Sequence, residues 1–251
     1  MKIGVGVTTY NAEHYFEDLY DSLPLDRIDE LVVVNGGKKY KKEYKDAHWI
    51  QHSKNYYPSV CRNDCLRFLM ERDMDYYITL EDDMVIKDPN IFDKYIEAAE
   101  ASRFGYFCFV STSWESGEPG NRTPKLELQY SKDITVNLYP HMCNEFTFKT
   151  KKCIDTTGLY DNRFRYLFDV ENVHRIAQAG HIPGFWWFPD VKASDELIMN
   201  HPETESRINA GGERDKKLGK EYDMFIKKHG TSVQGIPRLS KQEITNKITK
   251  E

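Results

Sequence analysis

Residues 76–86 read YYITLEDDMVI. An apolar run of strand length ends on three consecutive acids, Glu81, Asp82 and Asp83. Adjacent carboxylates repel one another, and at the end of a partly buried strand they are costly without a cation. Their hard oxygens suit Mn2+ or Mg2+, ions that in turn bind phosphates. Acid triplets also occur as solvated loops that cap a following turn. Position favours the cation, because ligands of an open parallel sheet bind beyond the carboxyl ends of its strands. Alternation along an extended segment would turn Glu81 and Asp83 to one side and leave Asp82 for a sugar or ribose hydroxyl.

Outward from this stretch the pattern predicts an α/β fold. Upstream, residues 3–9 (IGVGVTT) read as a buried first strand, followed by a helix that Asn11 can cap and Pro24 ends. Residues 30–34 form a second strand that turns at Asn35-Gly36-Gly37, and residues 48–52 a short third. Residues 59–72 predict a helix leading into the 76–80 strand, and Asp88-Pro89 opens another helix to about 101. A strand follows at 106–110. This alternation is the signature of a mainly parallel, Rossmann-like sheet with crossover helices. It places Thr8-Thr9-Tyr10 and Asn35-Gly36-Gly37 at the same end as the acids.

Beyond the Gly- and Pro-rich residues 113–124 the pattern is more mixed, with strands near 134–138 and 145–149 and a helix over 169–179 ending at Gly180. Three segments result: 1–110 for nucleotide binding, 111–205 for the acceptor and catalysis within the same domain, and 206–251 as a polar extension. After Pro237 the chain reads as an exposed helix or a loose tail.

Hydrophobic residues at 39% and aromatics at 13% of 251 fit a globular chain. With 35 basic against 40 acidic residues the formal charge is -5, which excludes an extensive nucleic-acid coat. No stretch reaches the roughly 20 apolar residues of a membrane span. Five cysteines without a CxxC pair fit free thiols in a reducing compartment, so the cytoplasm is expected. The sequon Asn121-Arg122-Thr123 reads as chance without a secretory signal.

The stretches VGVTTYN (5–11), LVVVNGG (31–37), NYYPSVCRNDCLRFL (55–69) and ITLEDDMVI (78–86) resemble, in order, the motifs of GT-A-fold glycosyltransferases, above all the inverting family-two group. CNEFTFKTKKCIDTTGLYDNRF (143–164) and LFDVENVHRIAQAGH (167–181) are similar to that group's second half. The resemblance covers residues 2–201. It implies a GT-A fold whose acceptor-side half is mixed α/β, and transfer of a sugar from a nucleoside-diphosphate sugar to a hydroxyl. Glu81 and Asp83 match its metal motif, with glutamate for the first aspartate, and Arg62-Asn63 match its arginine-asparagine helix start. Asn35 stands where the family carries an aspartate that contacts the nucleobase. Asp169 matches the catalytic base, Glu171 the second acid and Arg175 the helix arginine, while Phe168 replaces the acid that usually precedes the base. The implied donor-binding residues are Thr8, Tyr10, Asn35, Arg62 and Asp82. Late histidines often complete GT-A metal sites, which makes His201 a third ligand beside Glu81 and Asp83, against the alternative of a surface histidine in a polar loop.

Other features carry weaker signals. Phe185-Trp186-Trp187-Phe188 suits either a core or a stacking platform for an acceptor. The lysines between 38 and 45 suit a solvated loop. The acceptor is open: a glycan, a lipid-linked hydroxyl, or a hydroxymethylated pyrimidine in DNA. Two further function classes compete with transfer. A sugar-phosphate nucleotidyltransferase would show a glycine-rich basic signature after the first strand, which Thr8-Thr9-Tyr10-Asn11 lacks. A non-catalytic nucleotide- or glycan-binding module would bind without turnover.

Overall fold

The computed structural model describes residues 1–111, 123–202 and 213–249, with backbone alone for 213–216. In chain order the elements are β1 (Ile3–Thr9), α1 (Glu13–Ser22), β2 (Glu30–Asn35), β3 (His48–Gln51), α2 (Pro58–Met70), β4 (Tyr76–Glu81), β5 (Met84–Ile86), α3 (Ile91–Ser102) and β6 (Tyr106–Cys108). The second half adds β7 (Leu126–Gln129), β8 (Thr135–Tyr139), β9 (Phe146–Thr150), α4 (Lys151–Thr157), α5 (Phe168–Gln178), β10 (Phe188–Val191), α6 (Ser194–Leu197), β11 (Ile198–Asn200), α7 (Glu213–His229) and α8 (Lys241–Ile248).

The central sheet has the order β3-β2-β1-β4-β9-β6. The first four strands pair in parallel and β9 runs against both neighbours. This is the α/β, mainly parallel arrangement expected from the sequence. Small sheets β10-β8-β7 and β11-β5 supply the mixed character of the second half.

Side-chain alternation along β1 builds two cores. Ile3, Val5 and Val7 face α1 and α3, where they bury Phe16, Leu19, Phe92 and Ile96. On the other face α2 packs Cys61, Cys65, Leu66 and Leu69 against Val32, Val34 and Tyr77. Here β1 carries Gly4 and Gly6, so the helix lies directly on the strand backbone: a Cβ at Gly6 would fall 2.6 Å from Cys65 Cβ. Gly6→Ala should therefore destabilise the fold by about 1–3 kcal/mol. Urea unfolding measures this, and an unchanged midpoint would mean that α2 can simply lift away.

Several local expectations are revised. Asn11 does not cap α1. It adopts a left-handed conformation (φ 53°), and its Oδ1 accepts from Lys38 N at 2.9 Å instead. The helix expected at Asp88-Pro89 begins later, at Ile91, because Asp88 Oδ1 accepts from Asn90 N in a turn of its own. The lysine-rich loop is solvated at its charged side chains. Tyr40 and Tyr44 between them are buried against Phe16 and Trp49. Phe185, Trp187 and Phe188 are core. The segment after Pro237 is a packed helix, with Ile244 fully buried in α8 and Leu239 O accepting from Trp187 Nε1. All five cysteines are buried free thiols. Among the described residues no helix is long and apolar enough to cross a membrane. Asn121 and Arg122 of the sequon, and most of 113–124, lie outside the described residues.

Candidate active site

The carboxyl ends of β1, β2 and β4 meet the start of β9, whose antiparallel course brings Asn144 and Glu145 beside Glu81: Glu81 N donates to Glu145 O at 2.8 Å. Strand register sorts the acids. Thr8 pairs with Glu81 on the α2 side of the sheet, while Thr9 and Asp82 turn to the other. β4 ends at Glu81 and the chain turns at 82–83, with Glu81 directed to Arg62 and Asp82 to Thr9.

Arg62 organises the cleft. Packed α2 buries it to 1% exposure, and it stays charged because acids meet it on both sides. Nη2 donates to Glu81 Oε1 at 2.6 Å and to Asn144 O at 2.7 Å, and Nη1 donates to Asp169 Oδ1 at 3.0 Å. One guanidinium thus joins an acid of the first half to an acid at the head of α5. Next to it Asn63 clamps the loop before α5, donating to Tyr160 O at 2.8 Å and accepting from Tyr160 N at 2.9 Å. That loop is fixed again by Glu221 of α7, whose carboxylate accepts from the backbone N–H groups of Arg165, Tyr166 and Leu167, each at 2.9 Å.

Asp169 keeps 21% of its side-chain surface, so it is reachable from the cleft. Burial pushes its carboxyl up to about 7; Arg62 pulls it down, Glu81 pushes it up and Lys149 pulls it down. A carboxyl balanced there can exchange a proton near neutrality. Glu145 is also pushed up to about 7, by burial and then by Glu81, and its Oε2 is buried with no hydrogen-bond partner among the described residues. Neither Asn144 nor Glu145 was singled out in the sequence. The available signal was a polar pair directly ahead of the apolar strand FTF.

His201 comes to the acids through β11, which pairs with β5 so that His201 N donates to Asp83 O at 2.7 Å. Its ring has 12% exposure, with Nε2 2.9 Å from Asp18 Oδ2 and Tyr15 alongside. Asp83 and His201, 118 positions apart in number, are therefore neighbours. Glu81, the third expected ligand, is instead engaged by Arg62. Among the described residues no three His, Cys, Asp or Glu side chains already stand as a metal-binding group. The donor types nevertheless suit a divalent cation: the Asp83 carboxylate and the His201 imidazole belong to hydrogen-bonded neighbours, and Asp83 adds to the push that burial and then Glu81 exert on Glu145.

Of the expected donor contacts, Tyr10 is 42% exposed at the mouth of the cleft, over Gly36 and close to Asn55. Thr8 is half-buried beside Glu81. Asp82 is 5% exposed and turned inward, where Oδ2 accepts from Thr9 Oγ1 at 2.6 Å and Tyr10 N at 3.2 Å. Tyr40 OH braces the same Thr9 hydroxyl. Asn35 is fully buried, with its amide spent on its own turn: Nδ2 donates to Lys38 O at 2.8 Å and Oδ1 accepts from Gly37 N at 2.7 Å. Asp82 and Asn35 thus shape the rim from beneath. Glu171 and Arg175 lie away from the cleft, where buried Glu171 is held by Arg175, Lys228 and His229.

No protein-family model matches the chain, and no curated protein sequence does. Solved structures do match. Staphylococcus aureus (S. aureus) TarS 1–349 in complex with UDP-GlcNAc superposes with a TM-score of 0.63 at 12% identity, over 100% of this chain and 71% of that one. The mannosyltransferase PcManGT from Pyrobaculum calidifontis, in complex with GDP-Man and Mn2+, gives 0.58 at 12% identity over 99% and 68%. A further TarS 1–349 structure gives 0.52 at 15% identity over 70% of this chain and 55% of that one, so there the chain spans about half the length of its match. These likenesses show the fold: a GT-A-type α/β sheet shared with TarS and PcManGT.

Proposed function

We propose that this chain is a metal-dependent glycosyltransferase that moves a sugar from a nucleoside-diphosphate sugar to an acceptor hydroxyl with inversion. The observation that carries the reading is the bridge through Arg62, which holds Asp169 of α5 beside Glu81, while the His201–Asp83 backbone hydrogen bond sets those two residues at the turn that follows Glu81. Complexes of the similar folds with UDP-GlcNAc, and with GDP-Man and Mn2+, support the donor class and the cation.

In this reading Tyr10 stacks on the nucleobase above Gly36. Asp83 and His201 would hold Mn2+ or Mg2+, and the ion would supply positive charge to neutralise the leaving diphosphate. Glu81 sets the orientation of Arg62, and Arg62 in turn aims Asp169. Asp169 takes the proton from the acceptor hydroxyl as that oxygen attacks the anomeric carbon opposite the leaving group, which inverts the configuration. Asn35, with its amide committed to the turn, supports the loop that carries Gly36, and the base is read by Tyr10 and the rim.

Asp83→Ala tests the metal half. It should abolish Mn2+-dependent donor binding and transfer while leaving the chain folded, which circular dichroism checks. Sugar release from UDP- and GDP-sugars, followed with and without a chelator, reads the activity. Transfer that survives both the substitution and the chelator would remove the metal from the mechanism.

A further inference from the structure

Lys149, the fourth of the five residues of β9, is a lysine with 1% exposure. Its Nζ donates to Asn172 Oδ1 at 2.7 Å and sits over the Tyr160 ring, 4.3 Å from the centroid. No carboxylate among the described residues comes within ion-pair distance of it. Burying an ammonium without a paired acid costs several kcal/mol, and an unbranched apolar side chain would fill the same space without that cost. The position therefore makes sense if the charge itself is used. The acid in its field is Asp169, which lies three residues before Asn172 and so on the same face of α5.

The groups around the two are few. Asp169 faces Arg62 from α2, Glu81 from β4 and Lys149 from β9. Tyr106 of β6 is also close enough for its hydroxyl to feel Asp169. Lys149 faces Tyr160 and Asn172, and the Cys153 thiol of α4, which it pulls down against the stronger upward push of burial. Arg62 is shared with Glu81, so its charge is divided between two acids. Lys149 has no such competitor.

We propose that Lys149 is a positioning residue of the catalytic base, a fixed buried charge, anchored by Asn172, that holds Asp169 in its ionised form. The proposal rests on the assignment of Asp169 as the base in the preceding section. It differs from a packing role, because Lys149→Met keeps the volume and loses only the charge. Lys149→Gln keeps a donor for Asn172 and also loses the charge.

The test follows the carboxyl carbon of Asp169 by 13C NMR in protein labelled at aspartate, with the resonance assigned by its absence in Asp169→Asn. The titration midpoint should rise by about one pH unit in Lys149→Met, the size expected when one nearby opposite charge is removed. Lys149→Arg should leave it near the wild-type value. The acid limb of donor turnover should move up with it, while donor affinity stays the same. If Lys149→Met does not fold, Lys149→Gln gives the same reading. An unmoved midpoint in a folded variant overturns the proposal. A midpoint that rises while the acid limb stays supports the electrostatic link and instead removes Asp169 from the base role, so the two failures are told apart.

Discussion

Asp169→Asn should bind donor as the wild type does and lose between about a hundredfold and ten-thousandfold of its turnover, the contribution of a general base. The amide keeps an oxygen for Arg62 Nη1, so the helix start and the cleft keep their shape, but it cannot accept the acceptor's proton. Burial holds the wild-type carboxyl near 7, and only the ionised form works as a base. Wild-type turnover should therefore fall as pH drops through about 7 and level off above it. The residual turnover of Asp169→Asn should lack that limb. Steady-state kinetics over a pH series, alongside titration of donor binding, measures both. Wild-type turnover and pH profile in the amide variant would take the base role away from Asp169.

Arg62→Met should have the largest effect on the molecule as a whole. Arg62 is buried while Glu81 and Asp169 keep 33% and 21% of their side-chain surface, so removing it leaves two acids facing each other with partial access to water. Breaking a buried pair in this way costs on the order of 3 kcal/mol, toward the lower end of its range because the acids can rehydrate. The same change removes the main downward pull on Asp169, so at neutral pH more of the base is protonated. Transfer should thus fall further than the loss of folded protein explains, and part of it should return at higher pH. Thermal unfolding and transfer assayed at pH 7 and pH 9 separate the two effects. Unchanged stability and unchanged transfer would mean the bridge has no role.

The elements that the sequence made legible are those whose hydrophobic pattern is strong and local. β1, β2 and β4 are short apolar runs ending on polar residues, and α2 follows a helical period, so the first half could be read almost element by element. β5 and β11 could not, since three-residue strands have no period to detect, yet their pairing is what sets His201 beside Asp83. That neighbour was suggested by family resemblance alone. β10 carries Pro189 and Asp190, to which the sequence pattern assigned no element; it is an edge strand, where proline is tolerated, and Asp190 is satisfied by Tyr95, Ser194 and the Val110 amide. The polar C-terminal stretch concealed α7, which packs the buried Phe225 with Leu218 and Tyr222 on the core and holds the loop before α5 through the buried Glu221. Lys149 escaped notice for a similar reason: nothing in a strand pattern of alternating residues says that a lysine is inside.

Calorimetric titration of the wild-type protein with UDP and GDP, each with Mn2+ and with a chelator, addresses the central claim most directly. One of the two nucleotides should bind with Mn2+ present and lose its binding with the chelator, and Asp83→Ala should show the chelated behaviour throughout. Binding of equal strength with and without the ion, or none to either nucleotide, would contradict a cation held by Asp83 and His201 against a diphosphate.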